Sequence, residues 1–382
     1  MSVTSVPQKT RYILWGEAGG RCQYDGCNKK LYLDPATKSK FNQAYIAHII
    51  ADVPGGPRGH NIHSEKLKAD LTNLMLLCDR HHRLVDKEDV DGHPASRLQA
   101  MKTKHEDRIR IACDISEDKQ SHIILYGARI GEHGTPLTYN EAANAIVPDF
   151  LPASDRPITL SMDSAHQDDE DKYWEIQSES LVRNFERELS WLKDKVSTLH
   201  FSVFGLAPQP LLIQLGALLS DITHMKVYTR LREPQTWKHP EEEDPLDFVI
   251  IEPEDKTGVP VLNISITADI NESRIQSVLE DHTSIWKLTV PTPGKDLVRS
   301  DSTLQNFRKR VREVFEQIKK AHGEDETLRV FPAMPNSTAI EFGRVWQPKA
   351  ELPMIIYDQN RSRDGFIKTV SIIKPKRTQY ES

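Results

Sequence analysis

Residues 73–86, NLMLLCDRHHRLVD, place an asparagine, a cysteine, two adjacent histidines and an aspartate around an apolar run, Leu74 to Leu77. A short apolar run bounded by polar residues reads as a buried strand, and the charged cluster after it as the start of a helix. Neighbouring residues on a helix project about 100° apart, so the two histidines serve different centres. His81 lies three residues from Cys78 at the strand-to-helix corner, whereas His82 shares a helical face with Asp86, four residues on. A second short-spaced pair, Cys22 and Cys27, stands earlier in the chain across a glycine-containing loop. Structural zinc takes four nitrogen or sulfur ligands, usually as two such pairs. The spacing therefore predicts a structural Zn²⁺ on Cys22, Cys27, Cys78 and His81, with Cys113 left as an ordinary core cysteine. His82 and Asp86 form part of a site for a hard divalent ion, Mg²⁺ or Mn²⁺; the alternative is a surface histidine beside an aspartate.

The chain has 382 residues, 38% hydrophobic and 28% charged, enough for more than one folded unit. No apolar run reaches the roughly 18–20 residues that span a bilayer. The first residues lack the order of a secretory signal, so a cytoplasmic protein without membrane contact is expected. The formal net charge of −6 is unevenly distributed. Residues 1–114 carry 18 basic and 14 acidic side chains, all four cysteines and 7 of the 15 histidines, and the remainder carries a net −10. A small, mildly basic, ligand-rich module thus precedes a larger acidic one.

In the front module, residues 8–18 read as a helix with Ile13, Leu14 and Ala18 as its buried side, ended by Gly19-Gly20. Residues 43–51 read as a strand, 52–63 as a Gly/Pro loop, and 94–113 as a helix with Leu98, Met101, His105, Ile109 and Ala112 along one face. From Ser121 onward, strands and helices alternate. Helices are expected at 173–195, 210–221, 302–321 and 337–345, which argues for a layered α/β domain of two similar halves. The acidic stretches 167–171 and 240–245 read as solvated loops.

His48 on its strand, Asn73 opening the next strand and His82 on the following helix resemble the triad of HNH endonucleases. The resemblance covers about residues 10–110, including both zinc pairs and the helix Leu98–Glu106. It implies a zinc-containing α+β module of the ββα-metal (HNH) type, acting on double-stranded DNA. In it His48 would be the general base, Asn73 its orienting partner, and His82 a ligand of the catalytic metal. An imidazole can take a proton from water near neutral pH, and a cation can hold the charge that develops on the phosphate. One position departs from the pattern: Ala47 stands where many such proteins carry an Asp or His ligand. Asp86 is the candidate second ligand, ahead of Asp52. Arg58, Lys66, Lys68, Arg80 and Arg83 are candidate contacts to DNA phosphates.

In the rear part, FGLAPQP (204–210) and FPAMPNSTAIEFGR (331–344) each lead from a strand into a helix, one in each half. Ligands of open α/β sheets sit at such carboxyl ends, against helix N-termini that attract anions. Together with VYTRLREPQTW, these stretches resemble a SAVED domain, an α/β fusion of two Rossmann-like (CARF-like) units. The order of parts resembles HNH–SAVED effectors of bacterial CBASS anti-phage defence: residues 1–114 as nuclease and 115–382 as sensor. The resemblance implies activation by a cyclic di- or trinucleotide and a homo-oligomer, a dimer at rest and a larger assembly when active. For the ligand, the backbone around Pro208, Gln209 and Pro210 and around Pro335, Asn336 and Ser337 would receive phosphates, with Arg230 as a charged partner. Trp237, Tyr228 and Phe331 would stack on bases, Trp237 first because its surroundings, EPQTWKHP, are polar. Two further readings stay open: a zinc-stabilised DNA-binding sensor without cleavage, and an unregulated restriction-type nuclease.

Overall fold

The computed structural model describes residues 5–114, 119–130, 137–161, 166, 168, 170–189, 199–220, 222, 224–238, 245–279, 282–360, 362–363 and 365–373. The chain divides into two compact units after residue 117. Among the described residues no helix is long and apolar enough to cross a membrane.

The N-terminal unit contains α1 (Gln8–Glu17), β1 (Ala44–His48), α2 (His63–Leu67), β2 (Leu74–Cys78), α3 (Asp79–Arg83) and α4 (Ala95–Asp114). The strands pair antiparallel, with Ala44 opposite Cys78 and His48 opposite Leu74. All five residues of β2 are buried, which is why its sequence is continuously apolar rather than alternating. They pack with Leu14, Ala18, Leu31, Ala47, Val85, Leu98 and Met101. Gln23 ties the Cys22 loop to β2: its backbone N–H donates to the Leu76 carbonyl (2.9 Å) and its side-chain oxygen accepts from Leu76 N–H (2.7 Å). After α3 the chain opens into a wide π turn at Leu84–Glu88, with Asp89 N–H donating to the Leu84 carbonyl five residues back.

Two expectations for this unit are corrected. Ile13 is exposed, because α1 meets the small core through Leu14 and the partly buried Trp15 instead. Cys113 is also exposed, near the end of a helix whose buried residues, Leu98, Met101, Lys102 and His105, all lie in its earlier turns. His105 is held there by the Ala18 carbonyl, 3.0 Å from its Nε2.

In the C-terminal unit the first half contains β3 (Gln120–Gly127), α5 (Tyr139–Ile146), β4 (Leu151–Pro152), β5 (Ile158–Thr159), α6 (Asp171–Leu189), β6 (His200–Leu206), α7 (Gln209–Leu218) and β7 (Met225–Tyr228). A small hairpin, β8 (Leu231–Arg232) and β9 (Gln235–Thr236), leads on to β10 (Val249–Ile251), β11 (Val259–Ser265), α8 (Glu272–Gln276) and β12 (Thr283–Thr289). Then follow α9 (Asp301–His322), β13 (Leu328–Ala333), α10 (Asn336–Val345), β14 (Met354–Asn360) and β15 (Gly365–Ile372). The first sheet has the order β4-β3-β6-β7, all parallel, with β5 also pairing β3. The second has the order β10-β12-β11-β13-β14-β15, parallel at its centre and antiparallel at both edges. The expected end of the 173–195 helix beyond residue 189, and residues 167, 169 and 240–244 of the acidic stretches, lie outside the described residues.

α7 and α10 join the halves. A Cβ on Gly216 would lie 2.0 Å from the Ile340 carbonyl oxygen, and one on Gly343 would lie 2.0 Å from that of Ile213. Only glycine allows backbones this close.

Candidate functional site

Two clusters form at the corner where β2 enters α3. Cys22 Sγ and Cys78 Sγ lie 3.5 and 3.3 Å from His81 Nδ1. With Cys27 they form a group whose donor atoms all fall within 4.8 Å of one another. A tetrahedral zinc with Zn–S near 2.3 Å and Zn–N near 2.0 Å separates sulfur from nitrogen by about 3.5 Å, so this donor set fits the metal. Burial pushes the Cys22 thiol pKa up, so a metal bound there would displace protons. Burial, then the charges of Arg80 and His93, lowers that of His81 and keeps the imidazole neutral as a ligand must be. Tyr24 stacks on His81 (centroids 4.1 Å apart, planes at 8°), and its hydroxyl reaches His93 Nε2 at 3.0 Å.

His48, at the end of β1, is buried, with Nε2 2.9 Å from the Lys68 carbonyl. A carbonyl only accepts, so Nε2 carries the proton and Nδ1 presents the lone pair. Asn73, expected to orient this ring, makes no side-chain hydrogen bond to it. Its amide donates to the Ile50 and Leu67 carbonyls (2.8 and 3.1 Å), and its oxygen accepts from Ile50 N–H (2.8 Å). It therefore sutures the chain just after His48 to the chain just before Lys68, fixing the imidazole indirectly.

His82 stacks on Tyr45 of β1 (4.8 Å, 17°), and its Nε2 lies 3.3 Å from Asp86 Oδ2. Burial lowers its pKa, against the pull of Asp86 and Asp79. The other Asp86 oxygen accepts from Arg58 Nη2 at 2.6 Å. Asp86, the expected second metal ligand, thus gives one oxygen to a guanidinium and keeps the other beside His82. Among the described residues, the sulfur-rich cluster is the only group of three or more such donors. A divalent ion at His82 would thus complete its shell with water and substrate oxygens. Neither stacking tyrosine was foreseen. The hairpin register, which puts Tyr45 beside the Ala44–Cys78 pair, is the signal that could have found the second.

In the C-terminal unit the two expected loops do meet. Pro208 and Pro335 precede α7 and α10, and neither helix has a side-chain cap. Gln209 Oε1 accepts from Met334 N–H (3.0 Å), while Asn336 Nδ2 donates to the Gly205 carbonyl (2.7 Å), so each half holds backbone of the other. Asn336 Oδ1 accepts from Arg230 N–H (3.3 Å), and Thr229 donates to Ser337 Oγ (2.6 Å). Pro208, Gln209, Pro210, Arg230, Pro335, Asn336 and Ser337 are thereby brought together. The aromatics are not presented as expected. Trp237 is only 3% exposed, edge-on to Phe204, and Tyr228 stacks on the same ring at 4.5 Å. Phe331 is fully buried between Tyr357 and Phe366, in a cluster separate from the one that holds α7 and α10. These rings fill cores, with no open face for a base; Trp237 instead supports Arg230, whose guanidinium lies 5.4 Å from the ring centre.

A cleft of about 410 Å³ lies by the opposite, N-terminal ends of β3, β6 and β7. Its main charges satisfy one another: Lys226 contacts Asp149 (3.1 Å) and Asp301 (2.8 Å), and Arg308 contacts the buried Glu341 (2.8 Å). It is not the composite pocket expected between the two loops.

Residues 183–372 match the family described as SAVED, "SMODS-associated and fused to various effectors sensor domain". No curated protein matches the chain. Solved structures similar to it include the Acinetobacter baumannii Cap4 SAVED/CARF-domain containing receptor with the cyclic trinucleotide 2′3′3′-cAAA: 12% identity, TM-score 0.45, 77% of this chain and 66% of that one. The same receptor with 3′3′3′-cAAA aligns at 12% identity and TM-score 0.43, over 82% of this chain and 66% of that one. The Moraxella osloensis Cap4 receptor aligns at 10% and 0.38, over 73% and 59%. The matches thus span at most 66% of these receptors' length. The C-terminal unit is an α/β fold with a SAVED-like domain over residues 183–372.

Proposed function

We propose that this protein is a metal-dependent endonuclease that cuts double-stranded DNA when a cyclic di- or trinucleotide binds its SAVED-like domain, as an effector of anti-phage defence. One arrangement carries the reading: a buried His48 whose Nε2 is committed to the Lys68 carbonyl, on a hairpin joined to a Cys₃His cluster. The family description, a sensor fused to various effectors, supports sensing at one end and action at the other.

In this reading Cys22, Cys27, Cys78 and His81 would hold zinc, which would lock the strand–helix corner. His48 Nδ1 takes the proton from the attacking water, and the Asn73 suture keeps that nitrogen aimed. His82 would hold a divalent cation, which when bound would supply charge to the phosphate and the leaving oxygen. In the C-terminal unit, the uncapped N-termini of α7 and α10 and the Arg230 guanidinium receive the ligand's phosphates.

The test is cleavage of supercoiled plasmid with Mg²⁺, with and without a panel of cyclic nucleotides that includes 2′3′3′-cAAA and 3′3′3′-cAAA. Cleavage should require a panel member and vanish in His48→Ala. Cleavage by well-folded His48→Ala protein, or none by wild type with any member, rejects the reading. Ala47 and the Arg58–Asp86 ion pair favour one rival, a DNA-binding sensor without cleavage; ligand-dependent DNA binding with intact plasmid would identify it.

A further inference from the structure

We infer that Arg58 is the positioning residue that holds the two histidine-bearing elements in register, rather than a contact to DNA; its catalytic part rests on the nuclease reading above. Its side chain is 8% exposed. Nε donates to the Ile49 carbonyl (2.7 Å), Nη1 to the Val85 carbonyl (2.7 Å), and Nη2 to the His48 carbonyl (3.3 Å) and Asp86 Oδ1 (2.6 Å). Two of these acceptors belong to the exit of β1 and two to the turn after α3. A guanidinium has five N–H bonds in a planar fork. With four contacts made inside the protein, almost nothing remains for a phosphate.

The backbone points the same way. Arg58 adopts φ = 57°, a left-handed conformation that disfavours any residue with a Cβ. The loop is wound tightly around it: Ala51 N–H donates to the Pro57 carbonyl, and a Cβ on Gly59 would lie 2.3 Å from the Pro54 oxygen. Glycine would suit position 58 better on backbone grounds alone, so the side chain is what the position serves. Asp86 carries the effect onward: one oxygen is held by Arg58 and the other lies 3.3 Å from His82 Nε2. A carboxylate so held fixes the orientation of the imidazole beside it. Arg58 thus acts on His48 through its carbonyl and on His82 through Asp86. Lysine keeps the charge but cannot fork to four acceptors.

The experiment uses full-length wild type, Arg58→Lys, Arg58→Gln, Asp86→Asn and the Arg58→Gln/Asp86→Asn double variant, with zinc content as the check on folding. Plasmid cleavage is measured with Mg²⁺ and the same nucleotide panel. Arg58→Lys should lower kcat by about a hundredfold while KM and the salt dependence of DNA binding stay at wild-type values. The two charge-removing changes should not multiply in the double variant. A wild-type kcat with raised KM and a salt slope lower by about one makes Arg58 a phosphate contact and overturns the inference. If no wild-type protein cleaves, the nuclease reading fails separately, and urea unfolding of the same proteins decides. Coupling of about tenfold in the unfolding constant supports the clamp; independent effects reject it. Should Arg58→Gln fail to fold, Arg58→Lys with Asp86→Asn completes the same cycle.

Discussion

At the scale of single residues, the metal cluster and the buried aromatics teach opposite lessons. The Cys₃His set should hold about one Zn²⁺ per chain, and Cys78→Ala should lose it together with cooperative unfolding of the N-terminal unit. Metal analysis and a thermal melt check this; an unchanged zinc content in the mutant refutes the assignment. The gathering of these four residues was legible because short spacings at turns fix sulfur and nitrogen positions locally. Trp237 was not, because its polar sequence neighbours say nothing of Phe204, which arrives from another strand. Phe331 failed for a different reason: alternation along β13 sorts its residues onto two faces without saying which one meets α10. The consequence is measurable. Trp237→Ala should destabilise the C-terminal unit by about 3–5 kcal/mol in denaturant melts. Arg230→Ala, half-buried and paired at 3.9 Å with Glu141, should leave stability near wild type while raising the cyclic nucleotide concentration needed for half-maximal cleavage. If Trp237→Ala is as stable as wild type, its place in the core is wrong.

Among elements, much of the alternation of strands and helices in the rear part was readable, since α9 carries an apolar stripe, α7 is apolar nearly throughout, and the central strands are apolar runs. Short pieces such as β4, β5 and α8 were missed, because elements of two to five residues leave no period to detect. The contact between α7 and α10 was also hidden: Gly216 and Gly343 say only that a side chain is unnecessary. Gly343→Ala should cost about 3 kcal/mol, because the added Cβ would meet the Ile213 carbonyl; a neutral change in urea unfolding would contradict this packing. β6 carries a second testable feature at its start. Burial, then His224, Lys226 and Lys119, hold the His200 pKa down at about 4. An unfolded histidine titrates near 6.5, so the unfolded chain binds the proton first as pH falls. The stability from neutral His200 is therefore present above about pH 6.5 and is lost progressively toward pH 4. Thermal midpoints measured across that window should fall for wild type and fall less for His200→Gln. Equal slopes would exclude His200 as the source.

For the whole molecule, the proposed activity demands a switch, since an unregulated nuclease would attack any DNA it met. One cleavage site cuts one strand, so a double-strand break requires two copies on one duplex. The free protein should therefore be a dimer without activity, and cyclic nucleotide should drive a larger assembly. Shifting such an equilibrium from 1:99 to 99:1 takes about 5.5 kcal/mol of preferential binding. Light scattering and plasmid cleavage, followed together as nucleotide is added, should rise at the same concentration. Full cleavage with no change in particle size would refute this coupling. The α7–α10 crossing constrains the movement that the proposed ligand would cause. With glycine on both sides the two backbones meet at this crossing, flanked by Leu212 and Ile340; sliding would drive a side chain into the crossing, whereas turning about it would not. In the proposed switch the pair would serve as a pivot, so a ligand-driven change between the halves would be rotation rather than slip. Pro208 stands eight residues before Gly216, and Pro335 eight before Gly343, so the two lever arms are equal, about 12 Å at helical rise. A turn of about 10° would carry each loop tip by about 2 Å, matched in size on both halves.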